Sequence, residues 1–270
     1  MSREIERTKN VLELTSEIPN FAPINYLDIG SADGSITNEI AKTFKIENAY
    51  AADILIIKEK LPNLNYLTII EDAEELKIPD HSIDLITLFV SFHHFKNPES
   101  IVAEILRVSK VGTVLIIREH DVTPLDQPYI DFVHLIEIAK ESKRNYQKFI
   151  EAFHVGYFSK SDLEASLNNL GFKFLKGITY PEPNPQRLYT SAFVFSGSDK
   201  LWLTPRIQTS QYRIDNGRLL EYLDLISESD LLKYSKVLKK NGIFGYNLNK
   251  MMKIRKINLF MDTFLSMNKM

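Results

Sequence analysis

A short run of glycine and acidic residues near the amino terminus has the order of a nucleotide-cofactor site. The residues YLDIGSADGS (26–35) begin as an apolar strand, turn at Gly30 and Gly34, and lead into a helical pattern near Ser35. A strand, a glycine turn and a helix N-terminus bring backbone N–H groups close to a bound ligand. The carboxylate of Asp53 ends the next strand-like run, about twenty residues later, as in half of a nucleotide-type site. These residues therefore predict where a cofactor binds.

Two groups of polar residues follow later strands and could act on a second ligand. His93 and His94 come after the fourth apolar run, and Glu119, His120 and Asp121 come after the fifth. Ligands of open α/β sheets bind at the carboxyl ends of the strands, where both groups should lie. The unperturbed pKa of histidine, about 6.5, suits a general base at neutral pH. His93 and His120 are therefore the candidate catalytic residues.

A metal site is a weaker interpretation of the second group. Glu119, His120 and Asp121 carry ligand types that divalent cations accept. Consecutive residues of a strand point to alternate faces, so these three cannot converge on one ion without a bend. No metal site is predicted.

Alternating strands and helices position these residues. Apolar periodicity predicts strands at 25–30, 48–53, 66–71, 83–90, 112–118, 172–179 and 188–196. Helical patterns at 35–44, 98–109 and 159–170 lie between them, which implies a parallel sheet with helices on both faces. The last two strands are joined by YPEPNPQR, whose prolines exclude a helix. These two strands must form a hairpin, so the sheet should end with an antiparallel strand.

The chain divides into predicted parts along its length. An N-terminal helix (1–23) precedes a domain at 24–196, which contains an inserted helical lid at 124–158. A helical extension at 197–270 follows, and residues 201–270 carry 12 Lys and Arg against 6 Asp and Glu. Such a basic segment is typical either of nucleic-acid contact or of a solvated helical face.

Composition excludes several classes of function. The chain has no cysteine, which excludes a disulfide scaffold, a thiolate metal site and a cysteine nucleophile. The charged start MSREIERTKN lacks the apolar core of a signal peptide. No apolar run reaches the roughly 18 residues that a membrane span needs. We expect a cytoplasmic protein with no membrane span.

Four ordered segments resemble the class I S-adenosylmethionine-dependent methyltransferases, most closely methyltransferase type 11. They are YLDIGSADGS, AYAADI, EDAEELKIPDHSIDLITLFVSFHHFKNP and VAEILRVSKVGTVLIIREH, within residues 24–196. The resemblance implies an α/β fold: a Rossmann-like seven-stranded sheet with an antiparallel last strand and helices on both faces, followed by the helical C-terminal extension. It also implies S-adenosyl-L-methionine as the cofactor.

The resemblance further implies a role for each residue of the cofactor site. Asp28 should lie near the methionine amino group, and Asp53 should accept hydrogen bonds from the ribose hydroxyls. Asp72 and Ala73 match the pair that contacts adenine, and Ser91 faces the methionine end. The full cofactor-binding set is Asp28, Gly30, Ser31, Gly34, Asp53, Asp72, Ala73 and Ser91.

One position departs from the family pattern, because Ala32 stands where the family has its middle glycine. Alanine is tolerated there if its φ is negative. We expect a weaker constraint at this position and not a loss of binding.

Three functions are compatible with these residues. The leading one is S-adenosylmethionine-dependent methyl transfer to an O, N or C nucleophile of a small molecule. The second is a nucleic-acid (RNA) methyltransferase that holds its substrate through residues 201–270. The third is a non-catalytic partner subunit with the same fold, suggested by Ala32 and by the lack of an obvious acceptor base. A dehydrogenase is disfavoured because the hairpin and EDAEEL have no role in one.

Overall fold

The computed structural model describes residues 2–54, 59–69, 76–95, 97–122, 130, 156–181 and 187–197. The chain forms two compact units, and the first comprises Met1–Thr123, His154–Pro181 and Arg187–Tyr212. All described residues except Ile130 belong to this first unit. Most of the predicted lid and nearly all of the predicted C-terminal extension lie outside the described residues.

Seven strands form one sheet in the order β3-β2-β1-β4-β5-β7-β6. Their bounds are β1 Asn25–Ile29, β2 Asn48–Asp53, β3 Asn65–Thr68, β4 Ile83–Phe89, β5 Ser109–His120, β6 Phe172–Thr179 and β7 Leu188–Phe195. Strands β1 to β5 pair in parallel, whereas β7 runs antiparallel to both β5 and β6. The predicted Rossmann-like sheet with its closing hairpin is confirmed.

Four helices flank the sheet in the described ranges: α1 Arg3–Thr15, α2 Ser35–Phe44, α3 Pro98–Val108 and α4 Lys160–Asn169. Helix α4 begins where Ser159 accepts a hydrogen bond from the Asp162 N–H at 3.1 Å. It ends before Gly171, whose φ of 94° is typical of a helix C-terminus. None of these helices is long and apolar enough to cross a bilayer.

The helices cover two apolar cores on opposite faces of the sheet. In β4, Leu85 belongs to the core that includes Val11 of α1 and Ile40 of α2. The next residue, Ile86, belongs to the core that includes Ile105 of α3 and residues of α4. Because neighbouring strand residues alternate in direction, one buried strand contributes to both cores. Apolar side chains thus cover both faces of the central strands in the described part of the chain, which leaves the ends of those strands as the place for a polar site.

Strand β5 begins earlier than the predicted 112–118. Ile83 pairs with Ser109 and Leu85 pairs with Val114, so the ladder is irregular between them. Gly112 sits in this irregularity with a φ of 93°. Helix α3 therefore passes directly into β5, and the glycine serves a bulge inside the strand and not a separate turn before it.

Arg107 of α3 fixes the segment that leads into β4. Its guanidinium donates to the carbonyl oxygens of Leu76 and Ile78 at 2.8 Å each. It also pairs with the carboxylates of Asp80 at 2.6 Å and Glu104 at 2.8 Å. One planar cation thus anchors a stretch of chain that has no regular structure of its own.

Replacement of this cation should cost more stability than replacement of a nearby exposed one. We expect Arg107→Ala to lower the free energy of unfolding by about 2–3 kcal/mol, because two buried carbonyl groups lose their donors. Lys110→Ala is the matched control: the Lys110 side chain is 41% exposed, so its 2.6 Å pair with Asp84 should be worth under about 1 kcal/mol. Chemical denaturation measures both, and equal losses would contradict the anchoring role.

Candidate functional site

The loop between β1 and α2 is held against the ends of two neighbouring strands. The N–H groups of Gly30 and Ser31 donate to the Ala52 carbonyl oxygen of β2, at 2.8 and 3.1 Å. Gly30 has a φ of 77°, and a Cβ there would lie 2.3 Å from the Ser91 Cβ beyond β4. Only glycine permits this approach, so the sequence requirement at position 30 is steric as well as conformational.

The same loop contains a buried hydroxyl that lacks a partner. Ser31 is 6% exposed. Within the described residues its Oγ makes no hydrogen bond. Buried polar atoms are nearly always satisfied, so an orphaned hydroxyl beside a helix N-terminus is a feature of a ligand site. Gly34 completes the loop as the N-cap of α2, with a φ of 79°.

Ala32 differs from the expectation of a negative φ. Its φ is 49°, in the left-handed region, which costs a non-glycine residue roughly 1 kcal/mol. Its N–H donates to Asp53 Oδ2 at 2.7 Å. This short charge-assisted bond offsets the backbone cost and ties the loop to the end of β2. The alanine is therefore accommodated by Asp53, and not by a relaxed backbone.

Asp28 is a fully enclosed carboxylate at the end of β1. It accepts hydrogen bonds from Thr37 Oγ1 at 2.6 Å and Thr87 Oγ1 at 2.7 Å. Desolvation by burial raises the pKa of Asp28 to about 6, with a further contribution from Asp53, although the two hydroxyls act in the opposite direction. A carboxylate in this position is costly to ionise unless a cation binds nearby.

A second polar cluster lies where β4 and β5 end. His93, Glu119 and His120 are each at most 3% exposed. His93 Nδ1 lies 2.7 Å from Glu119 Oε1. The ring centroid of His93 is 4.0 Å from that of His94 and 5.1 Å from that of His120. The two histidines predicted to be catalytic are therefore brought together, with a carboxylate bonded to one of them.

Glu119 is the centre of this cluster. Its carboxylate accepts from the backbone N–H of His93 at 3.3 Å and of His120 at 2.9 Å. Burial raises the pKa of Glu119, although His120 and the backbone donors lower it. Asp121 is not part of this cluster. Its carboxylate accepts a hydrogen bond of 2.9 Å from the backbone N–H of Lys160, at the start of α4.

The sequence placed Glu119 with His120 and Asp121 in a polar group after the fifth strand, but gave it neither a catalytic role nor a contact with His93. Its pairing with His93 could not be foreseen, because it depends on how the turn after β4 meets the end of β5. One signal was present, however. Arg118 and Glu119 follow the apolar run VLII within a buried strand, where an ionisable side chain needs a partner.

Those predicted cofactor residues that the structure describes lie at the carboxyl ends of neighbouring strands. Asp28 lies near the end of β1, and Gly30 and Ser31 follow that strand. Asp53 ends β2, and Ser91 follows β4 with its hydroxyl 3.0 Å from the Ile29 carbonyl oxygen. Asp72 and Ala73 lie outside the described residues. Their predicted contact with adenine stays a prediction.

Comparison with known proteins adds a family match. The family described as a methyltransferase domain matches residues 2–176. No curated protein matches the chain.

Among solved structures, the YcgJ protein of Bacillus subtilis shares 18% identity and a TM-score of 0.49, over 83% of this chain and 86% of that one. A 1,6-didemethyltoxoflavin-N1-methyltransferase of Burkholderia thailandensis, with bound 1,6-didemethyltoxoflavin and S-adenosylhomocysteine, shares 11% identity and a TM-score of 0.49, over 72% and 79%. An S-adenosylmethionine-dependent methyltransferase of Aquifex aeolicus shares 16% identity and a TM-score of 0.43, over 70% and 97%.

The close approach at Gly30 gives a direct test of the loop. We expect Gly30→Ala to lower the free energy of unfolding by about 2–4 kcal/mol, because left-handed strain adds to an overlap with Ser91. Gly112→Ala is the matched control: its φ is also positive, at 93°, but nothing lies within 4 Å of the added Cβ. It should lose only about 1 kcal/mol. Thermal unfolding measures both, and equal losses would show that Ser91 does not constrain the loop.

The burial of Asp28 should make stability depend on pH. Its pKa in the folded chain, about 6, exceeds the unfolded value of about 3.9, so the folded chain binds the extra proton between them. Stability is therefore lost as pH rises through this window. Asp28→Asn should match the wild type below about pH 4 and exceed it by up to about 3 kcal/mol near pH 8. Urea denaturation across this range measures the difference, and a constant offset would contradict it.

Proposed function

The chain belongs to the methyltransferase domain family, and we propose that it transfers the methyl group of S-adenosyl-L-methionine to a nucleophile on a small molecule. The observation that carries this proposal is the glycine loop. Its backbone lies against Ser91, its Ser31 hydroxyl is buried without a partner among the described residues, and the carboxylates of Asp28 and Asp53 flank it.

The residues around the loop fit the donor by charge and size. Asp28 is a buried carboxylate that would be ionised beside the methionine ammonium group. Gly30 and Gly34 let the side chains of Ser91 and Tyr66 approach the loop backbone, since a Cβ at either glycine would lie within 3 Å of them. Asp53 accepts from the Ala32 N–H, and a carboxylate has capacity for further hydrogen bonds from ribose hydroxyls. Asp72 and Ala73 are proposed for adenine on the family resemblance.

The donor, when bound, supplies a methyl group already activated by the positive charge on sulfur. The chain then has three tasks: to align the acceptor with the methyl group, to exclude water, and to help remove a proton where the acceptor carries one.

The acceptor side is proposed to be the cluster after β4 and β5. His93 and His120 supply the basic nitrogen atoms, and Glu119 orients His93 through the 2.7 Å contact to Nδ1. His93 follows Ser91 by two positions, so donor and acceptor groups share the same strand end. The enclosure of the cluster favours a small acceptor, since a nucleic-acid base would have to be unstacked to reach it.

Donor binding and methyl transfer can be tested separately on the full chain. We expect calorimetric titration with S-adenosylhomocysteine to show one site. Asp53→Asn should weaken binding by about tenfold or more, because charge-assisted bonds to ribose are lost. His93→Gln and His120→Gln should leave this affinity unchanged but slow transfer from methyl-labelled S-adenosylmethionine by about a hundredfold. The transfer measurements should use fractionated extract as the source of acceptor.

The matched control is His81→Asn, which removes a histidine outside the cluster. His81 has a φ of 50°, where asparagine is favoured, so this variant should fold and behave as the wild type. Absence of S-adenosylhomocysteine binding at millimolar concentration would refute the donor assignment. Label that appears in RNA would replace the small-molecule acceptor by nucleic acid. Binding without any transfer would identify a non-catalytic partner subunit.

A further inference from the structure

We propose that His93, Glu119 and His120 form a binding site for a divalent transition-metal ion of the Zn²⁺ type. One ligand atom from each of these residues lies within 4.8 Å of the other two. All three side chains are buried. They come from two neighbouring strand ends, so the grouping is set by the pairing of β4 with β5 and not by one flexible loop.

The separations are close to those of a three-ligand metal site. Bonds from zinc to histidine nitrogen or carboxylate oxygen are about 2.0–2.2 Å, which puts ligand atoms about 3–4 Å apart. His93 Nδ1 and Glu119 Oε1 are already 2.7 Å apart. The widest pair, at no more than 4.8 Å, needs to close by about 1 Å, which side-chain rotation can supply.

The donor set selects the class of metal. Two imidazoles with one carboxylate are the ligands of catalytic zinc sites and of non-haem iron(II) sites. Mg²⁺ and Ca²⁺ prefer oxygen ligands and would gain little from the two nitrogen donors. The rejection of a metal on sequence grounds assumed that Asp121 would have to take part, whereas His93 supplies the third ligand from a different strand end.

The surroundings hold the ligands in place. The backbone N–H groups of His93 and His120 both donate to the Glu119 carboxylate, which fixes its orientation. The His93 carbonyl oxygen accepts from the Gly156 N–H at 2.7 Å, which anchors the turn that carries this ligand. Such supporting bonds are typical of metal sites. A dication would take the place of the contact between His93 Nδ1 and Glu119 Oε1, and low exposure would strengthen its attraction to the carboxylate.

The position suggests a use for the ion. The three ligands leave at least one coordination position, which could take an oxygen or nitrogen atom of the acceptor near the donor site. With the ion bound, His93 and His120 would act as its ligands, in place of the general-base role that they have without it. Only this use depends on the proposed methyl transfer. Metal binding itself does not, so failure of one proposal can be distinguished from failure of the other.

The experiment titrates the full chain, freed of metal by a chelator, with Zn²⁺ in competition with a chromophoric chelator. We expect one ion per chain, and a melting temperature that rises as bound metal stabilises the folded state. Co²⁺ in the same site should give a visible ligand-field absorption. Mg²⁺ and Ca²⁺ should not compete. Glu119→Gln and His120→Asn should weaken Zn²⁺ binding by about tenfold or more.

His81→Asn is again the matched control and should bind Zn²⁺ as the wild type does. S-adenosylhomocysteine binding by each variant checks that the donor site remains folded. If a cluster variant does not fold, X-ray absorption of the Co²⁺ or Zn²⁺ form of the wild type reports whether two nitrogen donors and a carboxylate are bound. The proposal is overturned if the wild type binds no stoichiometric Zn²⁺, if Mg²⁺ displaces it, or if the cluster variants and His81→Asn weaken binding equally.

Discussion

The polar residues at the carboxyl ends of the strands depend on the contact between Gly30 and Ser91. The first strand and the fourth can bring their ends together only because position 30 has no side chain, since a Cβ would lie 2.3 Å from the Ser91 Cβ. The Ser91 hydroxyl also donates to the Ile29 carbonyl oxygen at 3.0 Å, which holds the two strand ends together. The turn after β4 continues from Ser91 to His93. Gly30 thereby influences the position of both polar clusters, the one around Asp28 and the one around His93.

Two enclosed carboxylates lie at these strand ends and are stabilised in different ways. Asp28 is bonded to two threonine hydroxyls, and Glu119 is bonded to two backbone N–H groups and an imidazole. Burial raises the pKa of both. The two threonine hydroxyls give Asp28 hydrogen bonds but no net positive charge, so Asp28 retains a need for a cation, whereas the charges of His120 and His94 already lower the pKa of Glu119. The ammonium group of the proposed donor would supply a cation to Asp28, and the proposed metal ion would supply one to Glu119.

The sheet was predictable because its signals are local. Apolar runs set the strands, Ser159 and Gly171 mark the ends of α4, and the prolines between β6 and β7 leave only a hairpin. Ala32 was misjudged because its left-handed φ depends on a bond to Asp53, 21 residues away. The His93–Glu119 pair was missed for the same reason. Periodicity locates a strand but does not report how two strand ends meet.

The Asp28 carboxylate also links binding of the proposed donor to the stability of the glycine loop. A buried, ionised carboxylate without a cation beside it lowers the stability of the fold. A ligand that brings a cation adds stability when it binds. Asp53 contributes to the raised pKa of Asp28, so the two acidic groups of the donor site act against each other when it is empty. The ammonium group of the proposed donor would offset the negative charge at Asp28. Donor binding should therefore consolidate the glycine loop and, through the contact of Gly30 with Ser91, the turn that carries His93.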